Sequence, residues 1–236
     1  MNISKGEILH FDKPLGWTSF NLVAKVRWQI CHKAGIKKLK VGHAGTLDPL
    51  ATGVMTVCVG KATKLIDQLQ AHTKEYVATM QLGATTPTFD LERPVDATYP
   101  TGHITREGIL EVLPRFIGRI EQVPPSFSAC KVNGHRAYDL ARKGKEVNLQ
   151  PKVLVIDRLD LLDFNPDTMQ MTVSVTCSKG TYIRALARDI GEALGSGAHL
   201  VSLRRTRVGD VRVEDCMDIE QFPLWLESQE ITMEQD

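Results

Sequence analysis

Apolar and polar residues alternate with a period of two in three stretches of the chain. They are Lys74–Gly83, Val153–Phe164 and Met169–Cys177, and each predicts a half-buried strand. The last two flank Asn165-Pro166-Asp167, which makes them a hairpin. Val54–Val59 is a continuous apolar run and reads as a strand covered on both faces. Glu7–Asp12 alternates imperfectly and reads as a first strand, and Ile117–Gln122 as a short one ending at Pro124-Pro125. A helical period replaces the strand period after Thr18-Ser19. Either residue can cap a helix running to about Lys33, with Leu22, Val23, Val26 and Ile30 on one face and Gly35 as the stop. Further helices are expected at Thr63–Ala71, at Thr105–Phe116, after Thr181 with Ile183, Leu186, Ala187 and Ile190 inward, and at 218–228. Residues 84–100 are polar and proline-rich, so a loop is expected there. Asn133-Gly134 is a strong hairpin turn signal, and Arg136–Lys143 has room for two helical turns before Gly144.

Composition narrows the class. The 236 residues are enough for one large or two small domains, with 42% hydrophobic and 24% charged residues. No apolar run reaches the roughly 18 residues that span a bilayer, and the N-terminus lacks the apolar stretch of a signal peptide. Five widely spaced cysteines have no CxxC pair, which suggests neither a disulfide framework nor a zinc site. A reduced, cytoplasmic protein is expected. The net charge of +1 conceals an asymmetry: residues 213–236 hold eight acids and no Lys or Arg. The preceding residues therefore carry 29 bases against 20 acids, an excess that suits a polyanionic partner.

One stretch concentrates the chemistry. Gly42-His43-Ala44-Gly45-Thr46-Leu47-Asp48-Pro49-Leu50-Ala51-Thr52-Gly53 places one carboxylate on a loop shaped by three glycines and a proline, just before a buried strand. Taken alone, the loop reads first as an Asp-Pro turn with a self-bonded carboxylate. Gly60-Lys61-Ala62-Thr63 invites a phosphate-loop reading, which Met55 and Ala62 exclude. Arg184 stands in the first turn of its helix, where the dipole disfavours a cation, and this calls for a partner charge. The most basic segment holds Lys131, Arg136, Arg142, Lys143, Lys145 and Lys152.

The twelve-residue loop closely resembles the catalytic motif of the TruB family, the bacterial tRNA pseudouridine-55 synthases. Asp12-Lys13-Pro14-Leu15-Gly16-Trp17-Thr18-Ser19, Lys74-Glu75-Tyr76 with Leu82-Gly83, Gly180-Thr181-Tyr182-Ile183-Arg184 and His199 through Leu203-Arg204-Arg205 resemble the other family motifs, in family order. The chain departs from the family at Thr86-Pro87-Thr88-Phe89-Asp90, where Thr-Asp-Thr-x-Asp is usual. The resemblance implies that Asp48 is the catalytic carboxylate, that Tyr76 stacks on the target uracil, and that Arg184 pairs with the catalytic Asp. It places Tyr182 and Leu203 at the pocket wall and His43 against the flipped nucleotide or in the space it leaves. Lys13 becomes a structural brace. Residues 124–152, with Lys131, Arg142 and Lys143, become a thumb-like insertion on the RNA.

The expected fold is accordingly α+β, with a central mixed, mostly antiparallel sheet flanked by helices and a basic insertion. Residues 1–215 would form the catalytic domain and 216–236 a short acidic helix and tail, with no room for the family's PUA domain. The expected function is isomerisation of uridine 55 in the T arm of tRNA by base flipping. It would need no metal or cofactor and no obligate protein partner, and the enzyme would act as a monomer. Two alternatives stay open: a tRNA-folding chaperone without required catalysis, and a sister synthase acting on another RNA.

Overall fold

The computed structural model describes residues 1–3, 5–128, 130–132, 135–137 and 149–232. The chain forms two compact units, Met1–Glu75 with Arg204–Asp236, and Tyr76–Leu203.

In the first unit, β1 (Glu7–Lys13) pairs antiparallel with β3 (Ala51–Val59) in unbroken register from Glu7↔Val59 to Lys13↔Gly53. The continuous apolar run of β3 is buried throughout, as expected for a strand covered on both faces. β2 (Val41–His43) pairs antiparallel with the end of β3. β14 (Met217–Asp218) lies parallel to β1, which makes the sheet mixed. Helix α1 (Ser19–Ala34) follows its pattern closely. Thr18 is the N-cap in a capping box with Asn21, worth about 1 kcal/mol. Gly35 closes the helix at φ 65°, in the left-handed region.

Two helices differ from expectation. The Thr63–Ala71 segment is a 3₁₀ turn, Gly60–Leu65, followed by a short α2 (Ile66–Gln70). The tight turn starts at Gly60, which has φ 61°, and the Thr63 hydroxyl donates to the Gly60 carbonyl at 2.8 Å. The helix expected at 218–228 is shortened to Phe222–Glu227 (α5), because Asp218 belongs to β14 and its carboxylate accepts the Glu220 N–H at 2.8 Å. Phe222 and Leu226 are buried, and the Phe222 ring meets Phe11 edge-on at 5.3 Å. Lys33 Nζ donates to the carbonyls of Leu226, Glu227 and Gln229, closing the end of α5.

In the second unit the strand order is β4 (Lys74–Leu82), β11 (Gln170–Cys177), β10 (Lys152–Asn165), β7 (Gly118–Gln122). β4 alternates buried and half-buried positions without a break. The β10–β11 and β10–β7 pairs are antiparallel. The hairpin turn is set by the Asn165 side chain, which accepts the N–H groups of Asp167 and Thr168. Helices α3 (Arg106–Val112, capped by Thr105) and α4 (Ile183–Ala193) complete this unit. Thr181 is not the cap of α4. Its hydroxyl donates to the Ser178 carbonyl at 3.0 Å in the turn before the helix, and Tyr182 takes the cap position. The 84–100 loop is closed at its mouth by a two-residue ladder, Ala84–Thr85 (β5) with Ala97–Thr98 (β6). Another short ladder, Lys131–Val132 (β8) with His135–Arg136 (β9), brackets the expected Asn133-Gly134 turn. That turn and the helix expected over Arg136–Lys143, with Arg142 and Lys143, lie outside the described residues beyond Ala137. The α+β class and the mixed, mostly antiparallel sheet are as expected.

Candidate active site

The Asp48 loop leaves β2 at His43 and enters β3 at Ala51. Its turn is tight, with the Ala51 N–H donating to the Asp48 carbonyl at 3.0 Å across Pro49. Ser19, the first residue of α1, locks the residue before Asp48. Its buried hydroxyl donates to Leu47 O at 3.0 Å and accepts Leu47 N–H at 2.9 Å. The Pro49 carbonyl accepts Gly16 N–H at 2.8 Å and the Lys13 ammonium at 3.4 Å.

Lys13 has no exposed surface. Its Nζ also donates to Pro14 O at 2.9 Å and Trp17 O at 2.6 Å. Burial lowers its pKa to about 8, opposed by the nearby charge of Asp48 and reinforced by Arg205. A lysine here is a brace with a charge: three carbonyls fix its head, and it ties the Lys13–Trp17 turn to the residue after Asp48.

Arg205 is the second buried cation, 1% exposed. Its Nε donates to Val54 O at 2.8 Å and its Nη2 to Gly45 O at 3.1 Å, so one guanidinium holds both arms of the loop. Its neighbour Arg204 makes a bidentate pair with Asp12, at 2.6 and 3.1 Å, and reaches Thr52 Oγ1 at 3.2 Å. Sequence reasoning matched both arginines to a motif without assigning either a task. Adjacent residues of a strand face opposite sides of a sheet, so one of two consecutive arginines had to point inward. His43, at the end of β2, is kept neutral by burial and by the Arg205 charge, both of which lower its pKa. Its Nδ1 is buried, with no hydrogen-bond partner among the described residues.

The second unit holds Tyr76, Tyr182, Arg184 and Leu203. Tyr76 and Leu203 are buried on β4 and β12 (Ala198–Val208). Gln122, itself buried, clamps the Tyr182 backbone by accepting its N–H at 2.9 Å and donating to its carbonyl at 3.2 Å. Burial raises the Tyr182 pKa, and a hydrogen bond with Ser128 opposes the rise.

Arg184 is almost wholly buried, and the partner charge its position demanded includes Asp90, with Nε 3.7 Å from Oδ2. Its Nη1 donates to Thr88 O at 3.0 Å and its Nη2 to Phe127 O at 3.1 Å. The divergent Thr86–Asp90 stretch is therefore a support for Arg184. Thr86 Oγ1 donates to Asp90 O at 2.6 Å, Phe89 adopts φ 62°, and the Arg188 guanidinium lies 4.9 Å from the centre of the Phe89 ring. Asp90 went unassigned at the sequence level. A buried Arg in the first turn of a helix was the available signal. Lys131 is in β8 at the root of the insertion.

Residues 32–183 match the family model described as TruB family pseudouridylate synthase (N terminal domain), and residues 184–235 the one described as tRNA pseudouridylate synthase B C-terminal domain. The chain is 68% identical over 231 residues to tRNA pseudouridine synthase B of Phocaeicola vulgatus, covering 98% of this chain and 97% of the relative. It is 66% identical over 238 residues to the protein of the same name in Bacteroides thetaiotaomicron, covering 100% and 99%. Among solved structures it is similar to an H/ACA RNP bound to a substrate RNA containing 2'-deoxyuridine, with TM-score 0.67 and 28% identity over 95% of this chain. It is also similar to a Cbf5-Nop10-Gar1 complex, with TM-score 0.69 and 29% identity over 95% of this chain. The chain spans 56% of the matched chain in each of these two structures.

Proposed function

The chain belongs to the TruB family of pseudouridylate synthases, which are isomerases, and from that premise we propose that it converts uridine 55 in the T arm of tRNA to pseudouridine. The reaction breaks the N1–C1′ bond, turns the uracil and joins C5 to C1′; the C5 proton leaves and N1 gains one. The uridine must first be flipped from its stack. Asp48 supplies the carboxylate beside the ribose. Attack on C1′ and removal of the 2′ proton make the same demand, a charged oxygen held still while water is excluded.

The observation that carries this reading is the pair of buried cations at the base of the Asp48 loop. Lys13 binds the Pro49 carbonyl and Arg205 the carbonyls of Gly45 and Val54. They set a positive potential of the sign that stabilises a carboxylate in a dry site. An Asp-Pro turn alone needs no such foundation. Neutral His43 suits stacking against the flipped nucleotide or its vacated place. Tyr76 stacks on the uracil, Tyr182 and Leu203 line the pocket, and Arg184 supplies a cation to the reaction. Lys131, Arg142 and Lys143 hold the RNA backbone.

The test is tritium release from a T-arm stem-loop carrying 5-tritiated uridine, with the purified chain alone and with Asp48→Ala. Release by the wild type and none by the variant, at nearly equal RNA affinity, is expected. RNA binding without release from either protein would favour a folding chaperone or a different RNA target. Loss of binding in the variant would make the loop structural.

A further inference from the structure

From Lys13 to Leu47 the chain holds seven Lys and Arg and no Asp or Glu. Three of the seven are committed within the protein. Lys13 and Lys33 bind backbone carbonyls, and Lys25 pairs with Glu220 at 2.7 Å. Arg27, Lys37, Lys38 and Lys40 are exposed, and among the described residues none of them forms an ion pair. Large aromatic side chains lie between these cations. Phe20 is 68% and Trp28 64% exposed on α1. The Trp28 ring stacks on His32 with planes 5° apart and centroids 5.3 Å apart. Positions 20, 24, 27, 28, 31 and 32 share the helix face opposite Leu22, Val26 and Ile30, and Lys37 and Lys38 follow just past its end.

We propose that this face, Phe20, Arg27, Trp28, His32, Lys37 and Lys38, is a second RNA-contact surface that holds part of the substrate outside the arm bearing the target uridine. The assignment rests on the tRNA reading above. Unpaired cations interleaved with exposed flat rings fit a polyanion that also carries π faces. The cations take phosphates and the rings take a base or a ribose. A purely apolar partner would leave four cations without use.

The geometry separates this surface from the Asp48 loop. Ser19, at the start of α1, is bonded to Leu47 beside Asp48. At 1.5 Å per residue, Trp28 lies about 14 Å and the end of the helix about 22 Å along the axis from Ser19. The stripe also faces away from the side of α1 that Ser19 and Leu22 bury. An RNA that reaches both Asp48 and Lys37 therefore extends well beyond one nucleotide loop.

The experiment compares affinities for full-length tRNA and for the isolated T-arm stem-loop over a salt series, using wild type, Arg27→Gln/Lys37→Gln/Lys38→Gln and Trp28→Ala. The triple variant should lose about tenfold on full-length tRNA and flatten its log–log salt slope by about 2. Trp28→Ala should lose severalfold on the same RNA. Stem-loop affinity and stem-loop tritium release should stay within twofold for both variants. Equal weakening toward both RNAs would place the face on the target arm and overturn the proposal. Unchanged affinity for both would leave a solvated face or, if the wild type self-associates in sedimentation and the variants do not, an interface between copies. Either result overturns it. If the wild type itself releases no tritium, the uridine 55 reading fails, while the difference in binding between the two RNAs still decides the surface.

Discussion

Gly53 lies so close to the backbone of Arg205 that a Cβ at Gly53 would meet the Arg205 carbonyl oxygen at 2.1 Å. Its φ of 108° is also one that side-chain-bearing residues avoid. Gly53→Ala should therefore destabilise the protein by roughly 3 kcal/mol or more, through strain and overpacking together. Urea unfolding measures this. A loss below about 1 kcal/mol would mean that the strand after the Asp48 loop shifts freely.

Lys13 predicts a pH signature. Its pKa in the folded protein is about 8, against 10.5 for a free lysine. Below about 8 both states carry the proton, and folding bears the full cost of burying the charge. Between about 8 and 10.5 the unfolded chain holds more protons, so stability rises with pH, by at most roughly 3 kcal/mol. Above that window both states are neutral and the cost is gone. Lys13→Met should lack this rise. Unfolding curves from pH 7 to pH 10.5 check it, and parallel curves for the two proteins would refute it.

Asp90→Ala should leave the Arg184 guanidinium partly uncompensated in a buried site. Breaking such a pair costs about 3–5 kcal/mol. Asp90→Asn keeps the shape and the acceptor and should recover part of that stability. Tritium release should nevertheless stay low in both variants, since the charge that steadies Arg184 is missing from each. Wild-type release by Asp90→Asn would reduce the aspartate to a packing residue.

Neutralising Lys131, Arg142 and Lys143 together should weaken RNA binding and lower the salt slope by about 2. Here the stem-loop alone should register the loss, in contrast to the α1 face. An unchanged slope on the stem-loop would remove the insertion from the RNA contacts.

What could be read from the sequence was what is local. Period-two alternation marks β4 and the β10–β11 hairpin because one face of each meets the core. Thr18, Asn21 and Gly35 mark the ends of α1 because caps bond within a few residues. The Asp48 loop stood out because its glycines and proline are shaping residues. What could not be read depends on partners far along the chain. Nothing near Arg205 announces that it will bond Gly45 and Val54, some 150 to 160 positions away. Nothing near Arg184 names Asp90. The loop around Asp90 departs from the family wording, although its Thr86, Thr88 and Asp90 side chains are buried and Thr86 and Asp90 bond within it. Thr181 was misread as a helix cap for a related reason. A hydroxyl that can cap a helix can also bond back to a carbonyl three residues earlier, and only the finished turn decides which.

The unit bearing Asp48 is built from two distant stretches of chain. β1 pairs with β14, Asn2 bridges to Thr232, and Lys33 closes the last carbonyls of α5. The other unit, Tyr76–Leu203, is contiguous. During synthesis it can therefore acquire all its own contacts first. The N-terminal strands, though made earliest, gain their pairing with residues 217–232 only after all of Tyr76–Leu203 has been made. A nascent chain that has already emitted Asp48, Tyr76 and Arg184 still lacks Arg205, whose guanidinium bonds both arms of the Asp48 loop. The Asp48 loop is thus made long before the arginine that holds it, and its final shape waits on a side chain some 150 positions further along the chain.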